Sequence, residues 1–241
     1  MTQVDSEGGA SLEASPVETS VPAVSIETAL KHDPYRALRF RDYRFLFAGS
    51  LISTLGNKML EVAIGWQLYA RTGSALVLGI VGLVLVVPVL LFSLLAGPIA
   101  DHFNRKQVVI VSQGFAALAS LGLMLLSALN GPLLLIYACL LLMGTSSAFS
   151  RPASSALTSQ TVPEEVFENA ATWSSSNWQL ASVIGPALSG LLIALFRSAT
   201  LVYLINVIAA LCFMLLLLPL RGEQGSRRQP ARSREPLTLH S

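Results

Sequence analysis

Apolar residues occur in six long runs along the chain, and short polar segments separate these runs. An α-helix needs about 20 apolar residues to cross the hydrocarbon core of a bilayer. Turn residues lie in the gaps, among them Gly73, Asn130-Gly131 and Val162-Pro163. The pattern therefore predicts an all-α membrane protein with six transmembrane helices, at residues 45–70, 74–99, 108–129, 132–150, 170–196 and 199–220.

The two ends of the chain differ from this apolar region. Residues 1–33 carry six acids and one base without an aromatic residue, which predicts a disordered acidic tail. From Pro34, arginines alternate with aromatic residues, which predicts an amphipathic helix at the headgroup level. This lead-in and the six spans form one domain over residues 34–220, and residues 221–241 form a basic polar tail.

The positions of lysine and arginine predict the orientation. An even number of spans places both termini on the same side of the membrane. Thirteen of the 16 Lys and Arg residues fall on that side, whereas Arg71 and Arg197 fall on the other side and Lys58 lies within a span. Because basic residues mark the cytosolic side, both termini are predicted to be cytoplasmic, in a multi-pass protein of the inner or plasma membrane.

Composition excludes several function classes. Only 12% of the residues are charged, about half the share of soluble domains, so a soluble enzyme is excluded. Cys139 and Cys212 lie in apolar runs, and the three histidines lie outside the spans, so neither a metal site nor an activated nucleophile is expected. The basic tails adjoin spans, which accounts for their charge without nucleic acid.

The first predicted span carries a polar stripe, at residues that recur in steps of three and four and therefore share one helical face: Ser50, Ser53, Thr54, Asn57, Lys58 and Glu61. A charge in hydrocarbon costs about 3 kcal/mol, so this face is expected to meet protein or water. Three interpretations stay open. Lys58 and Glu61 form a local neutral pair, the stripe lines a translocation cavity in which Glu61 exchanges protons, or Lys58 reaches toward the interface.

The fifth predicted span carries a second polar set, next to Trp173 and Trp178. We predict that Asn177 and Gln179 from this set line a pocket together with Asn57, Lys58 and Glu61. Small residues follow four positions apart, which allows another helix to approach closely, and a proline among them predicts a bend. This helix-interface motif consists of Gly185, Pro186, Ser189 and Gly190.

Two motifs carry a resemblance to a known family. The pattern G-x-x-x-D-x-x-x-R-K, formed between spans two and three by Gly97, Asp101, Arg105 and Lys106, resembles the signature loop of major facilitator superfamily transporters. The segment from Gly185 to Gly190 is similar to the fifth-helix motif of proton-coupled exporters in that superfamily, although Ser189 replaces a usual glycine. With Arg151-Pro152 at the end of span four, the chain most resembles the drug and siderophore efflux branch.

The resemblance implies a fold and a function. Family members have twelve spans in two halves, each half a 3+3 inverted repeat, so this chain would be the N-terminal half. We expect proton-coupled efflux of a small molecule by alternating access, without a cofactor. Asp101, Arg105, Lys106 and Arg151 would form the cytosolic gate, and the Gly185–Gly190 face would slide on a second half. That half would come from a homodimer or a separate chain.

Other functions are less well supported by the residues. A membrane hydrolase lacks a histidine within the spans, and a channel lacks a repeated filter segment. Two alternatives remain open beside transport. The chain would then be a non-transporting half-transporter that acts as a membrane scaffold or regulatory partner, or a truncated and inactive product.

Overall fold

A computed structural model describes residues 35–102 and 104–219, with side chains for all of these except residues 93–102. The described part is helical throughout, and each long helix corresponds to one predicted span. They are α1 (Arg41–Thr72), α2 (Ala75–His102), α3 (Arg105–Ala128), α4 (Leu133–Thr161), α5 (Phe167–Phe196) and α6 (Thr200–Leu217). Two short 3-10 turns precede α1 and α5, at Ala37–Arg39 and Glu164–Val166. The predicted all-α class is therefore confirmed.

Five of these helices, α2 to α6, contain segments long and apolar enough to cross a membrane. The remaining helix, α1, has 32 residues and is long enough as well. Its polar and charged residues lower its mean hydropathy below that of the other five. The described structure thus supports a membrane protein, with α1 as the one helix whose sequence needs shielding from lipid.

The largest difference between the helices and the predicted spans lies at the end of α4. α4 continues through Arg151 and Pro152 to Thr161, eleven residues beyond the predicted end. Its extension is held because Ala153 and Leu157 are buried in a cluster with Leu46, Val109, Phe213 and Leu217. A buried apolar face thus outweighs the hydrogen bond that a helical proline removes.

The connection after span two is also shorter than predicted. α2 extends to His102, so most of the predicted loop at residues 97–106 is helical. The surroundings of Gly97 and the side chain of Asp101 lie outside the described part of the structure. α3 then begins at Arg105, and the Asn104 side chain caps it by accepting a hydrogen bond of 3.1 Å from the backbone N–H of Lys106.

The segment before α1 does not form the separate amphipathic helix that its arginines and aromatics predict. It forms the 3-10 turn Ala37–Arg39, whose Ala37 N–H donates to the Asn169 side chain at 3.1 Å. The Tyr43 hydroxyl donates to the backbone carbonyl of Ala170 at 3.0 Å. Because Ala37 and Tyr43 are buried against α5, the lead-in is fixed to the bundle.

The first three helices, α1 to α3, and the last three, α4 to α6, form two groups that pack in equivalent ways. α1 packs against α5 and α6, α4 packs against α2 and α3, and α3 packs against α6 between the two groups. This pattern is unchanged when α1, α2 and α3 are exchanged with α4, α5 and α6. Consecutive helices run in opposite directions, so α1 is antiparallel to α4, as expected for inverted repeats.

One end of the bundle collects the basic residues. The starts of α1 and α5 meet there through Tyr43, and the start of α3 meets the end of α6, where Lys106 Nζ donates to the Leu218 carbonyl at 2.9 Å. We call this the basic end. At the opposite end, Arg71 donates to the Leu126 and Gly131 carbonyls and so caps the end of α3.

The small residues of α5 allow it to approach α1 closely. Asn177, Ala181, Gly185 and Ser189 are buried, as their spacing of four predicts for one helical face. A Cβ placed at Gly185 would lie 2.6 Å from the Lys58 Cβ, which shows how close the two helices are. Pro186 is half-buried. A Cβ placed at Gly190 would meet no atom within 4 Å, so this position faces open space. The predicted close approach is thus made at Gly185, to α1 of the same chain.

Gly185→Ala should destabilise the bundle by about 1–3 kcal/mol, because the added methyl group overlaps the α1 backbone and Lys58. The measurement is the thermal unfolding midpoint of the purified protein in detergent. Gly190→Ala is the matched control, since it gives the same gain in helix propensity in open space. An equal midpoint for the two variants would contradict the close packing of α1 and α5.

Candidate functional site

The polar stripe of α1 lines a cavity of about 350 Å³. The other walls come from α3, α4, α5 and α6, with Gln113, Ser150, Arg151, Ser154, Trp178 and Phe213. Small-molecule sites in proteins have volumes of about 300–1,000 Å³. A cavity of this size with mixed polar and aromatic walls is suited to an organic molecule of modest size. We call it the polar cavity.

An ion pair lies in the wall of the polar cavity. Lys58 Nζ donates to both carboxylate oxygens of Glu61, at 3.1 and 2.9 Å. The same Nζ lies 5.5 Å from the centroid of the Trp178 ring, within the range of a cation–π interaction. The Lys58 side chain is 20% exposed and that of Glu61 is 53% exposed. Lys58 and Glu61 therefore form a local pair, and both residues also line the cavity.

The two residues predicted from span five are placed differently. Asn177 is buried, and its Nδ2 donates to Ser50 Oγ at 3.3 Å beside the cavity. Its Oδ1 has no hydrogen-bond partner in the part of the chain that the structure describes. Gln179 is exposed and does not line the polar cavity. A helix turns by about 100° per residue, which brings Trp178 to the cavity in place of Gln179.

Three polar residues that were not predicted from the sequence also line the cavity, namely Gln113, Ser150 and Ser154. Gln113 of α3 lies 3.5 Å from Ser53 Oγ on one side and 3.5 Å from Ser150 Oγ on the other. It thereby connects α1 to α4 across the cavity wall. A single amide within an apolar span would have been the only indication in the sequence.

A second polar chain runs from the cavity into the core. Asn57 Oδ1 accepts a hydrogen bond of 3.2 Å from Asn206 Nδ2, and Asn206 Oδ1 accepts one of 2.8 Å from the Ser120 hydroxyl. Asn206 is 2% exposed and Ser120 is fully buried. These hydrogen bonds tie α1, α6 and α3 together at the centre of the bundle. Neither Asn206 nor Ser120 was selected from the sequence.

The residues predicted to form a gate are not brought into one cluster in the described part. Arg105 Nη1 donates to the Ala156 carbonyl at 3.2 Å, and Lys106 caps the end of α6. Arg151 instead lines the polar cavity. The Asp101 side chain lies outside the described residues, so its contacts with these bases stay a prediction.

Other parts of the described structure bring together fewer polar groups that could bind a ligand. A groove of about 460 Å³ lies between α3 and α4, and its walls are mainly apolar, with Val111, Phe115, Leu142 and Phe149 among them. Within residues 35–92 and 104–219, whose side chains the structure describes, no three His, Cys, Asp or Glu side chains lie close enough together to hold a metal ion. The polar cavity is therefore the candidate site.

Comparisons with known proteins add independent information. A protein-family profile described as transmembrane secretion effector matches residues 32–236. The chain is similar to macrolide efflux protein A of Streptococcus pyogenes, with 27% identity over 194 residues that cover 79% of this chain and 48% of that protein. It is also similar to the staphyloferrin A transporter of Staphylococcus aureus, with 28% identity over 195 residues, 78% of this chain and 49% of that one.

A third relative is the multidrug efflux pump Tap of Mycolicibacterium fortuitum, with 29% identity over 155 residues. That match covers 62% of this chain and 38% of the pump. The chain thus spans about half the length of the curated relatives it matches, or less.

Ser120→Ala and Asn206→Ala should lower stability by amounts that do not add. We expect a coupling free energy of about 0.6–1.7 kcal/mol, the range for hydrogen bonds between membrane helices. The measurement is a double-mutant cycle on the free energy of unfolding in mixed micelles. The exposed Ser155 serves as control, and Ser155→Ala should be additive with Asn206→Ala. Additive behaviour of Ser120 and Asn206 would show that their hydrogen bond adds no stability.

Proposed function

The chain belongs to the transmembrane secretion effector family of the major facilitator superfamily, and from this we propose that it forms the N-terminal half of an exporter that moves a small molecule out of the cell. The family is one of transporters and not of enzymes. Transport is the activity that the names of the relatives share, and two of the three names specify efflux.

The polar cavity is the observation that carries this proposal. An ion pair and a set of hydroxyl and amide groups lie inside a bundle whose outer surface is apolar. Polar groups at such depth are costly and are found on the pathways of transported molecules. The substrate would bind beside α1 and α4, against Asn57, Lys58 and Glu61, with Asn177 behind them.

A second six-helix half would complete the binding site. Transporters of this architecture bind substrate between two halves and expose it alternately to the two sides of the membrane. Glu61 and Trp178 are exposed at one side of the polar cavity, where a facing half would cover them. That half would come from the same polypeptide, a second copy or another chain.

The proposed topology has six spans with both termini in the cytoplasm, in the cell membrane. α1 is included as a span because α5 and α6 pack along it and cover its buried side. The basic end then faces the cytosol, in agreement with the preference of arginine and lysine for that side. Asp101, Arg105 and Lys106 would lie at this end and form part of a cytosolic gate around Gly97.

Glu61 is the proposed site of proton exchange. It is the acidic residue that lines the polar cavity among the described residues, and its carboxylate is half exposed to the space where substrate would lie. Protonation would break its ion pair with Lys58 and change the charge of the cavity by one unit. A proton gradient would thereby be able to drive transport without a bound cofactor.

Glu61→Gln should flatten the dependence of efflux on external pH, because the glutamine cannot take up a proton. The measurement is efflux of preloaded ethidium and of preloaded naphthoate from cells that express the transporter, across a range of external pH. Glu168→Gln, at an exposed position at the start of α5, is the control and should keep the wild-type profile. An unchanged profile in Glu61→Gln would leave Glu61 as a partner of Lys58 only.

Asp101→Asn should impair efflux of the same two probes while the amount of protein in the membrane stays normal. We expect this because the substitution removes a negative charge that would help to hold the cytosolic gate closed. Asp42→Asn is the control, since Asp42 is exposed at the start of α1 at the same end of the bundle. Normal efflux by Asp101→Asn would exclude the gating role.

A further inference from the structure

Arg151 differs from Arg71 and Lys106 in what surrounds it. Its side chain lines the polar cavity from α4 and is exposed there. Among the described residues it has no hydrogen-bond or ion-pair partner. By contrast, Arg71 and Lys106 donate to carbonyl groups at the ends of neighbouring helices. Arg151 therefore presents a guanidinium to the cavity, and no group among the described residues neutralises it.

The balance of charge in the cavity depends on this residue. Three charged side chains line it, namely Lys58, Glu61 and Arg151. Lys58 and Glu61 are joined by hydrogen bonds of 2.9 and 3.1 Å, so their charges compensate each other. The cavity formed by the described residues thus carries a net charge of one positive unit, and that charge belongs to Arg151. A positive charge in a bundle with apolar surroundings favours an anion beside it.

The groups beside Arg151 are suited to an oxyanion. A guanidinium binds carboxylate, phosphate or sulfonate groups through two parallel hydrogen bonds. Ser150 and Ser154 line the same cavity from α4, the first adjacent to Arg151 and the second almost one turn further along. Their hydroxyl groups are further donors for oxygen atoms of a bound anion.

One wall of the cavity favours an apolar body on the bound molecule. Trp178 lines the cavity from α5 and is 57% exposed. An aromatic ring offers a large contact area to a flat apolar group. The combination of a guanidinium, hydroxyl groups and an exposed aromatic ring within about 350 Å³ describes a site for an amphiphilic molecule.

We propose that the polar cavity binds an organic acid, with its oxyanion on Arg151 and its apolar part against Trp178. This proposal rests on the proposed function of the cavity as a substrate site and adds the chemical class of the substrate. It also assigns Arg151 a role in substrate binding, where the family resemblance implies a gating role.

An organic cation is the competing class. A carboxylate next to an aromatic ring recognises ammonium groups, and Glu61 with Trp178 provides this arrangement. Lys58 already fills it, because its Nζ contacts both the Glu61 carboxylate and the Trp178 ring. A cationic substrate would have to displace Lys58 and then raise the net positive charge of the cavity. The charges of the described residues thus favour the anion.

Three probes with the same ring system separate these classes. Naphthoate carries an anionic group, naphthamide a neutral one and naphthylmethylamine a cationic one. Binding of each to the purified full chain is measured by calorimetry, at neutral pH, in nanodiscs of phosphatidylcholine. We expect the Kd of naphthoate to be lower than that of naphthamide by at least about tenfold, the effect of one charge-assisted hydrogen bond.

Variants of two arginines locate the effect. Arg151→Gln should bind naphthoate and naphthamide equally, with an unchanged Kd for naphthamide as evidence that the cavity is intact. Arg44→Gln is the matched control, because Arg44 is exposed near the basic end and does not line the cavity, and it should keep the full preference. Arg151→Lys should retain part of the preference, since it keeps the charge and loses the second hydrogen bond.

Each other outcome overturns a defined part of the proposal. Equal binding of naphthoate and naphthamide by the wild type would exclude the organic acid but leave a small-molecule cavity. Tightest binding of naphthylmethylamine would assign the site to organic cations. A preference that survives Arg151→Gln would place the anion elsewhere. Because binding is measured without a gradient, the pH profile of efflux in Glu61→Gln tests the proposed function separately.

Discussion

A polar helix surface inside a membrane protein has to be covered by other protein or by enclosed water, and in this chain that requirement falls on α1. Among the described long helices, α1 is the one without a segment apolar enough to be identified as a membrane span, and its stripe from Ser50 to Glu61 contains the charged Lys58 and Glu61. α5 meets it through small residues, so that Gly185 lies against Lys58, and Asn206 of α6 binds Asn57. The side of the stripe that remains uncovered is the polar cavity. The need to cover the polar face of α1 therefore accounts both for the packing of α5 and α6 against it and for the position of the polar cavity.

The equivalence of the two groups of three helices explains where the cavity forms. α1 and α4 occupy matching positions, each packed against two neighbours from the other group. They hardly contact each other, and Gln113 connects them with hydrogen bonds to Ser53 and Ser150. A space between two such helices can be lined by polar groups from both. The charged pair comes from α1, and Arg151 comes from α4.

Much of the fold follows from the sequence, because apolar runs of membrane length leave few alternatives. The polar stripe of α1 was also predictable, since six polar residues at helical spacing select one face. Gln113 and Asn206 were not found, because a single amide in an apolar run forms no pattern. The different places of Asn177 and Gln179 depend on the rotation of α5 against α1, which packing decides. The helix through Pro152 depends on burial of Ala153 and Leu157, which lie beyond the predicted span.

The order of the helices along the chain gives the Lys58–Glu61 pair a further consequence. A polypeptide enters the membrane from its N-terminus during synthesis, so α1 is made well before α5 and α6, which later cover it. During that interval the neighbours that bind Ser50 and Asn57 do not yet exist. The ion pair spans only three residues and forms within α1 itself. It lowers the cost of placing two charges in lipid at the stage when no other helix is present to share it.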